Sequence, residues 1–432
     1  MTDQLTTDPA KPAQRMRAGS MTIPLIPWVV AAILLCLMPY IFTANSAITI
    51  MNQMAITIIF ALAYNMLLGQ GGMLSFGHAV YAGVGGFACM HIMNMGDFFS
   101  GLPLPFLPIF GGLTGMGLAT IVASFSTRNA GVVFAMISLG VGELIAACSV
   151  IIVVFFGGEE GISGDRTYGL PFFGVEFLRQ VEVYYLIAFW LLLSAALMYL
   201  YSRTPLGRMA NAVRDNPERA EFLGYSARWV RFYSFVASGF FAGVAGALFA
   251  INYEILTEEN LNTTQSGAIL LVTFLGGVGF FFGPILGAIV FTLVQTVLSL
   301  QTELWGFYLG IIFVATVMFF PGGLAGLIMM HVPALRMGKL GRLTVPYLKT
   351  LLPAVIGTMG AAALVEMTFH VRHAATGDHE MTLFWTTFDS HSLTPWLVAI
   401  AVTTACFAIT RATAPAMLDA WNDANSADGN VK

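Results

Sequence analysis

The sequence predicts an all-α polytopic membrane protein with about ten core transmembrane helices and two extra helices at the C-terminal end. Of the 432 residues, 57% are hydrophobic and only 10% are charged, whereas soluble domains carry about 25% charged residues. Apolar runs of about 20 residues, the length that crosses a bilayer as a helix, recur along the chain. A short arginine-rich segment between two of these runs gives the chain an orientation.

The predicted spans follow one another with short polar connections. Residues 1–20 are polar and basic and are predicted to form a cytoplasmic tail. The first apolar run is longer than the 7–15 residues usual in the core of a signal peptide, so we interpret it as a span. The core, 21–335, contains predicted spans at 23–42, 48–68, 79–95, 103–125, 132–156, 181–201, 232–251, two segments within 266–300, and 305–330. The C-terminal extension, 336–432, adds spans at 345–366 and at 393 to about 410, followed by a polar tail.

The arginine-rich loop, 202–231, sets the topology. It contains six arginines and is short, so the positive-inside rule places it in the cytoplasm. Alternation of the spans then puts both termini inside and the acid-rich segment 157–180 outside. Within the loop, 206–213 and 217–223 are predicted helices, with Gly224 as a helix stop. The loop is either a connector that only fixes topology or a docking element for a cytoplasmic partner, and both readings stay open here.

Two glycine-rich interruptions break the apolar pattern in the two halves of the core. The first contains Gly71 and Gly72, and the second contains Gly276 and Gly277. Unwound backbone is tolerated at membrane depth only beside protein or a water-filled cavity, so paired interruptions indicate a central translocation pathway. Close helix packing through small residues is the alternative. The residues predicted to line the pathway are Gln70, Gly71, Gly72, Ser75, His78, Glu143, Gly276 and Gly277.

Glu143 lies in the middle of the fifth predicted span. A charge there costs about 3 kcal/mol on insertion scales, so it is expected to face the protein interior or water. It binds a substrate ammonium or caps a buried hydrogen-bond network, and the sequence does not separate these. Ser75 and His78 allow a nucleophile and a base, but without a GxSxG elbow we favour packing or pathway lining over catalysis. The four cysteines all fall in apolar runs and form no CxxC pair, so no metal site is expected.

Several motifs resemble a known family. They are 65–78 (NMLLGQGGMLSFGH), the loop motif 204–224, 238–248 (SGFFAGVAGAL), 275–288 with its two Gly-rich turns, and 320–327 (FPGGLAGL). Together they look like the permease subunits of branched-chain amino acid ABC importers, of the LivM type. The likeness covers about residues 25–330; the extension departs from it.

The resemblance implies a bacterial inner-membrane transport subunit for branched-chain or other hydrophobic amino acids. Its partners would be a second permease subunit, two cytoplasmic ATPase subunits that hold ATP and magnesium, a periplasmic binding protein, and membrane lipid; no cofactor is expected on this chain, and no nucleic acid. The loop resembles the coupling element of importer permeases, with Arg219 in place of that motif's first alanine. The expected coupling residues are Arg208, Arg214, Asp215, Glu218, Ala220 and Gly224. The alternatives are an intramembrane enzyme using Ser75, His78 or Glu143, and a stand-alone secondary transporter using Glu143.

Overall fold

Helices dominate the part of the chain that this computed structural model describes, which is residues 25–96, 100–373, 380–383 and 386–425. The predicted tail at 1–20 and the last residues of the polar C-terminal tail lie outside it. The main helices are α1 (Leu25–Ile41), α2 (Asn45–Asn65), α3 (Ala79–Met93), α4 (Leu107–Ser126), α5 (Val132–Ile151), α6 (Gln180–Arg203), α7 (Pro205–Asp215), α8 (Pro217–Phe222), α9 (Ala227–Tyr253), α10 (Thr263–Gly276), α11 (Gly283–Val297), α12 (Trp305–Phe319), α13 (Gly323–Arg336), α14 (Leu340–His373) and α15 (Leu393–Asn425).

Short elements join these helices. A π-helical turn, Met66–Gln70, extends α2, and a single α-turn, Val153–Phe156, follows α5. The 3-10 turns are Leu104–Phe106, Arg166–Tyr168, Glu258–Asn260 and Leu298–Leu300. Two small antiparallel pairs complete the described elements: β1 (Ile162–Ser163) with β2 (Ile255–Leu256), and β3 (Glu380–Leu383) with β4 (Thr386–Asp389).

Each of the twelve predicted spans contains at least one described helix, although the helices differ in length. Within the described residues, eight helices are long and apolar enough to cross a membrane, or nine if the bent pair α12–α13 counts as one span. The shorter α1 and α3 are also apolar. At 1.5 Å per residue, the 15-residue α3 is about 22 Å long, less than the roughly 30 Å hydrocarbon thickness.

Two predicted spans were wrong in their continuity. The span predicted at 305–330 is broken at Phe320–Gly322, where α12 and α13 meet at an angle of 46°. Pro321 and Gly322 lie in this break, and proline removes a backbone donor and clashes with the preceding turn. The span predicted at 132–156 likewise ends at Ile151, since Ile152 leaves the helical conformation.

α2 lies at the centre of the core, in contact with α6, α9, α10 and α11. Helices α3, α4 and α9 pack against one another through glycines. A Cβ atom at Gly85 would lie 2.6 Å from the Cα of Gly243, and one at Gly115 would lie 2.6 Å from the carbonyl oxygen of Gly239. Only residues without side chains allow backbones to come this close, which is a common means of helix association in membranes.

The acid-rich segment predicted to lie outside, 157–180, pairs with the chain that follows α9. Strand β1, from 157–180, pairs with β2, next to Glu254. Arg166 is buried beneath this pair; it donates to the carbonyl oxygens of Phe177 and Ile251 at 3.0 and 3.2 Å, and its guanidinium lies 3.7 Å from the Glu254 carboxylate. This buried arginine therefore ties the acidic loop to the end of α9.

The C-terminal extension is a hairpin of α14 and α15 beside the core, and both helices expose most of their apolar residues. Glu366 on α14 joins the hairpin to the core by accepting hydrogen bonds from Thr302 and Tyr308 at 2.6 and 2.8 Å. At the other end of the hairpin, His331 on α13 contacts the Tyr347 hydroxyl at 2.9 Å.

Candidate functional site

The arginine-rich loop folds into a compact helical knob, which we define as residues 205–222. Proline begins both helices, and the residue before each proline caps it: the Thr204 hydroxyl accepts from the Gly207 amide at 3.2 Å, and Asn216 accepts from the Arg219 amide at 3.0 Å. These caps satisfy amides that otherwise lack partners in a first turn. The prediction of two short helices here is confirmed.

The inner face of the knob is apolar. Ala210, Val213 and Ala220 pack against Ala227 and Val230 at the start of α9, which fixes the knob to the core. The predicted coupling residue Ala220 is therefore buried inside the knob.

Other predicted coupling residues lie on the surface of the knob. Arg208, Asp215 and Glu218 are exposed, next to the almost fully exposed ring of Phe222. Gly224 has φ +86° with open space around it, and it ends the second helix as predicted.

Arg214 connects the knob to the first glycine-rich interruption. Its Nη1 donates to the carbonyl oxygen of Gly69, and its Nε lies 3.0 Å from the Asp215 carboxylate. Gly72, with φ +65°, lies directly under the arginine stem, so that a Cβ there would be 2.6 Å from Arg214 Cγ. Only glycine fits this position, because it tolerates both the conformation and the close approach.

The two glycine-rich interruptions meet each other beneath the knob. We call residues 66–78 the first break and residues 277–282 the second break. The Asn65 side chain donates to the carbonyl oxygen of Phe280 at 3.3 Å, and a Cβ at Gly69 would meet the carbonyl of Val278 at 2.5 Å. The first break begins with a π-helical turn, a feature frequent at functional sites.

The second break also rests on the bend between α12 and α13. Gly277 has φ +112°, and a Cβ at Gly323 would lie 2.5 Å from the Gly277 Cα. Gly276 ends α10 next to Gly283. The structure thus brings Gly71, Gly72, Gly276 and Gly277 into one region.

A cavity of about 230 Å³ lies where the knob and the two breaks converge. Of the predicted pathway residues it includes Gln70, and of the predicted coupling residues it includes Arg214. Its lining residues are Asn65, Gly69, Gln70, Ser202, Arg203, Asn211, Arg214, Val278, Gly279, Phe280 and Phe281. We refer to it as the knob cavity.

A second cavity, of about 110 Å³, lies inside the core between α2, α3, α9, α10 and α11. Gln53, Thr57 and Phe60 on one face of α2 line it, together with Gln265 and Gln295. No motif in the sequence predicted this core cavity. The available signal was the pair Gln53 and Thr57, two polar residues four positions apart on one face of an apolar helix.

His78 and Ser75 are packed into the core. Both are buried, and His78 lies among the rings of Phe60, Tyr64 and Tyr81. The His78 Nε2 contacts Ser238 at 3.2 Å, whereas the Ser75 hydroxyl has no partner among the described residues. The two side chains do not form the nucleophile and base pair that an intramembrane enzyme needs, so that alternative is not favoured.

Glu143 is exposed on the surface of the isolated chain and accepts a hydrogen bond from the Thr263 hydroxyl at the start of α10. It lines neither of the two cavities. Among the residues that the structure describes, no three His, Cys, Asp or Glu side chains are grouped to hold a metal ion.

The acid-rich loop 157–180 holds one titratable group with a shifted pKa. The Thr167 hydroxyl and amide donate to the Asp165 carboxylate at 2.6 and 2.8 Å. These bonds favour the charged form and hold the pKa of that carboxyl below its usual range. They order the start of the 3-10 turn that carries Arg166.

Known permeases resemble this chain in sequence. LivM of Salmonella typhimurium, a permease protein of a high-affinity branched-chain amino acid transport system, is 27% identical over 305 residues, which cover 65% of this chain and 70% of that protein. LivM of Escherichia coli is 26% identical over 321 residues, or 69% and 74% of the two chains. The autoinducer 2 import system permease LsrC of Yersinia pestis is 32% identical over 115 residues, covering 26% of this chain and 33% of that one. No solved structure matches the chain significantly.

The family model described as the permease component of the branched-chain amino acid transport system matches residues 46–317. That range contains α2 to α11, the knob, both breaks and both cavities. It excludes the C-terminal hairpin, in agreement with the extent of the resemblance in the motifs. This polytopic membrane protein belongs to the family of branched-chain amino acid transport system permeases.

Proposed function

We propose that this chain is one permease subunit of an ATP-driven importer for hydrophobic amino acids, the branched-chain ones included. The single observation that carries the proposal is the contact of Arg214 with the first break, because it joins an exposed docking element to the interior of the core. The printed names of the two LivM relatives support the substrate class.

The knob is the surface on which we place the ATPase partners. A partner drives a conformational switch only through contacts that differ between the two states. Movement of the knob pulls on the Gly69 carbonyl through Arg214, and the first break transmits it to the second through Asn65 and Phe280. Both breaks contain glycines that absorb backbone rotation, as hinge segments do.

The core cavity is the part of the pathway that we assign to the substrate side chain. Its wall is mostly apolar and includes Ile56, Phe249 and Phe291. The side-chain amides of Gln53 and Gln265 are among the few polar groups in this wall. No charged residue lines it. Such walls bind apolar groups, while a few polar groups fix the orientation.

The remaining parts of the complex follow the family resemblance. They are a second permease subunit, two ATPase subunits that bind ATP and magnesium, and a binding protein on the acidic side. The excess of arginines in 202–231 supports a cytoplasmic knob and hence cytoplasmic termini. The compartment is then the bacterial inner membrane.

The test uses the complex reconstituted in proteoliposomes with its binding protein and L-leucine. Glu218→Lys reverses an exposed charge on the knob, and Gly224→Leu forces a side chain into a left-handed conformation. We expect both to abolish binding-protein-stimulated ATP hydrolysis, with substrate binding to the isolated binding protein unchanged.

Matched controls share the chemistry but lie away from the knob. Asp419→Lys reverses an exposed charge on α15, and Gly131→Leu strains a left-handed glycine in open space. Both controls should keep stimulated hydrolysis. If the two knob variants also keep it, the knob is only a topological connector and the proposed coupling route is wrong.

A further inference from the structure

The knob cavity contains acceptors that have no partner. Asn65 and Gln70 are 3% and 8% exposed and both line the cavity. Their side-chain oxygens, Asn65 Oδ1 and Gln70 Oε1, have no hydrogen bond in the part of the chain that the structure describes. The Asn65 amide nitrogen already donates to Phe280, which fixes the orientation of that side chain. A buried oxygen without a donor is costly, so such groups call for a bound partner.

The same cavity contains cations on its knob side. Arg203 and Arg214 line it. Arg214 uses its Nε for the bond to Asp215 and its Nη1 for the bond to Gly69. Arg203 contacts the Tyr199 hydroxyl at 2.6 Å through one nitrogen. Each guanidinium has five N–H donors, more than these bonds consume, so both retain capacity for a carboxylate.

The third wall is apolar. Val278, Phe280 and Phe281 of the second break also line the cavity. The volume of about 230 Å³ exceeds the roughly 30 Å³ that one water molecule occupies in the liquid. It is smaller than the pockets of about 300–1,000 Å³ that take drug-sized ligands. The space therefore fits a small solute.

We propose that the knob cavity is a binding site for a zwitterionic amino acid with an apolar side chain. The arginines take the carboxylate, the oxygens of Asn65 and Gln70 take the ammonium, and the second break takes the side chain. A zwitterionic amino acid with an apolar side chain matches the cationic donors, the unpartnered acceptors and the apolar wall together. The inference rests on the proposed function, which supplies an amino acid as the substrate.

The location of this site gives it a regulatory effect. The bound amino acid would contact three parts of the protein: the knob at Arg214, the first break and the second break. It therefore stabilises the conformation in which the knob and the two breaks are in contact. A ligand shifts an equilibrium by its difference in affinity between the states. Substrate that accumulates on the knob side therefore holds the transporter in this conformation and slows further import.

The experiment measures L-leucine binding by calorimetry to the intact complex of permease and ATPase subunits in lipid nanodiscs, without the binding protein. We expect saturable binding by the wild-type complex. Gln70→Met removes an amide at nearly constant size and should weaken binding about ten- to hundredfold, as loss of a hydrogen bond to a charged group does. Asn65→Leu should act alike. Gln301→Met, an exposed site outside both cavities, should bind as the wild type does.

Ligand analogues test the same point without any change in the protein. 4-Methylpentanoate lacks the ammonium and 3-methylbutylamine lacks the carboxylate, and each should bind the wild-type complex at least tenfold more weakly than leucine. Equal binding by either analogue contradicts recognition of a zwitterion.

Two further outcomes separate this inference from the proposed function. A complex that imports leucine with its binding protein, yet binds none without it, overturns the inference alone. The inference is also overturned if Gln53→Met weakens leucine binding and Gln70→Met leaves it unchanged, since the ligand then occupies the core cavity. A wild-type complex that imports no hydrophobic amino acid overturns the proposed function itself.

Discussion

Gly72 offers the sharpest test of the contact between the knob and the first break. Gly72→Ala adds one carbon to a residue with φ +65°, and that carbon would lie 2.6 Å from Arg214 Cγ. Because the Cβ of Arg214 is also within 3.3 Å, the arginine has to leave its place and release the Gly69 carbonyl. Gly131→Ala is the matched control, since Gly131 has φ +62° and nothing within 4 Å.

The magnitudes follow from two separate costs. A positive φ costs a residue with a side chain about 1–3 kcal/mol, and both variants incur a cost of this kind. Loss of a hydrogen bond to a charged group costs about 1.5–3 kcal/mol. The Arg214 side chain is 36% exposed, so solvent compensates part of that loss and the lower end applies. We expect Gly72→Ala to be less stable than Gly131→Ala by about 1.5 kcal/mol.

The assay is reversible unfolding in mixed micelles, titrated with sodium dodecyl sulfate and followed by tryptophan fluorescence. Stimulated ATP hydrolysis of the reconstituted complex is the second readout, and it should fall in Gly72→Ala only. Equal stability and equal hydrolysis in the two variants would refute the reasoning, because Arg214 would then constrain nothing.

Three further outcomes are expected. Single cysteines at Glu218 and Glu259, in a cysteine-free background, should react with an impermeant maleimide from opposite sides of the membrane; labelling from one side contradicts the topology. Glu143 lines neither cavity, so Glu143→Gln should leave uptake close to the wild-type rate and should not harm insertion, since a central charge costs about 3 kcal/mol on insertion scales; loss of uptake by a well-expressed variant would place Glu143 in the pathway. Arg166→Met should lower the free energy of unfolding by about 3 kcal/mol, because Glu254 and several carbonyl oxygens lose their donor; a smaller loss than in Gly131→Ala contradicts the role of Arg166 in tying the acidic loop to α9.

The sequence was sufficient for features that depend on local chemistry. The helices of the knob were predictable because each begins at a proline after a capping residue and the second ends at a glycine. The spans were predictable from apolar length. The bend at Phe320–Gly322 has a local signal, the Pro-Gly-Gly run. This run was used only as a motif of the family resemblance, and the break that it causes in the span 305–330 was not predicted.

Features that depend on distant contacts could not be predicted in the same way. The bond from Arg214 to Gly69 joins residues 145 positions apart, and the contact of Asn65 with Phe280 spans 215. The apolar periodicity of a helix indicates which of its faces is buried, but not which other helix packs against that face. The core cavity was missed for the same reason, since its walls come from five helices. For His78 the sequence leaves packing and pathway lining both open, and in the structure its neighbours are the rings of the core.

The glycine contacts among α3, α4 and α9 also determine which parts of the protein can serve as moving parts. Where backbones touch at Gly85, Gly115 and Gly243, one helix cannot slide or roll past another without collision. These three helices therefore behave mechanically as a single rigid block. We expect displacement during transport to be confined to the joints around that block, which are the two breaks and the bend before α13. Because Arg214 bonds the knob to the first of these joints, a small displacement of the knob would be enough to reach it.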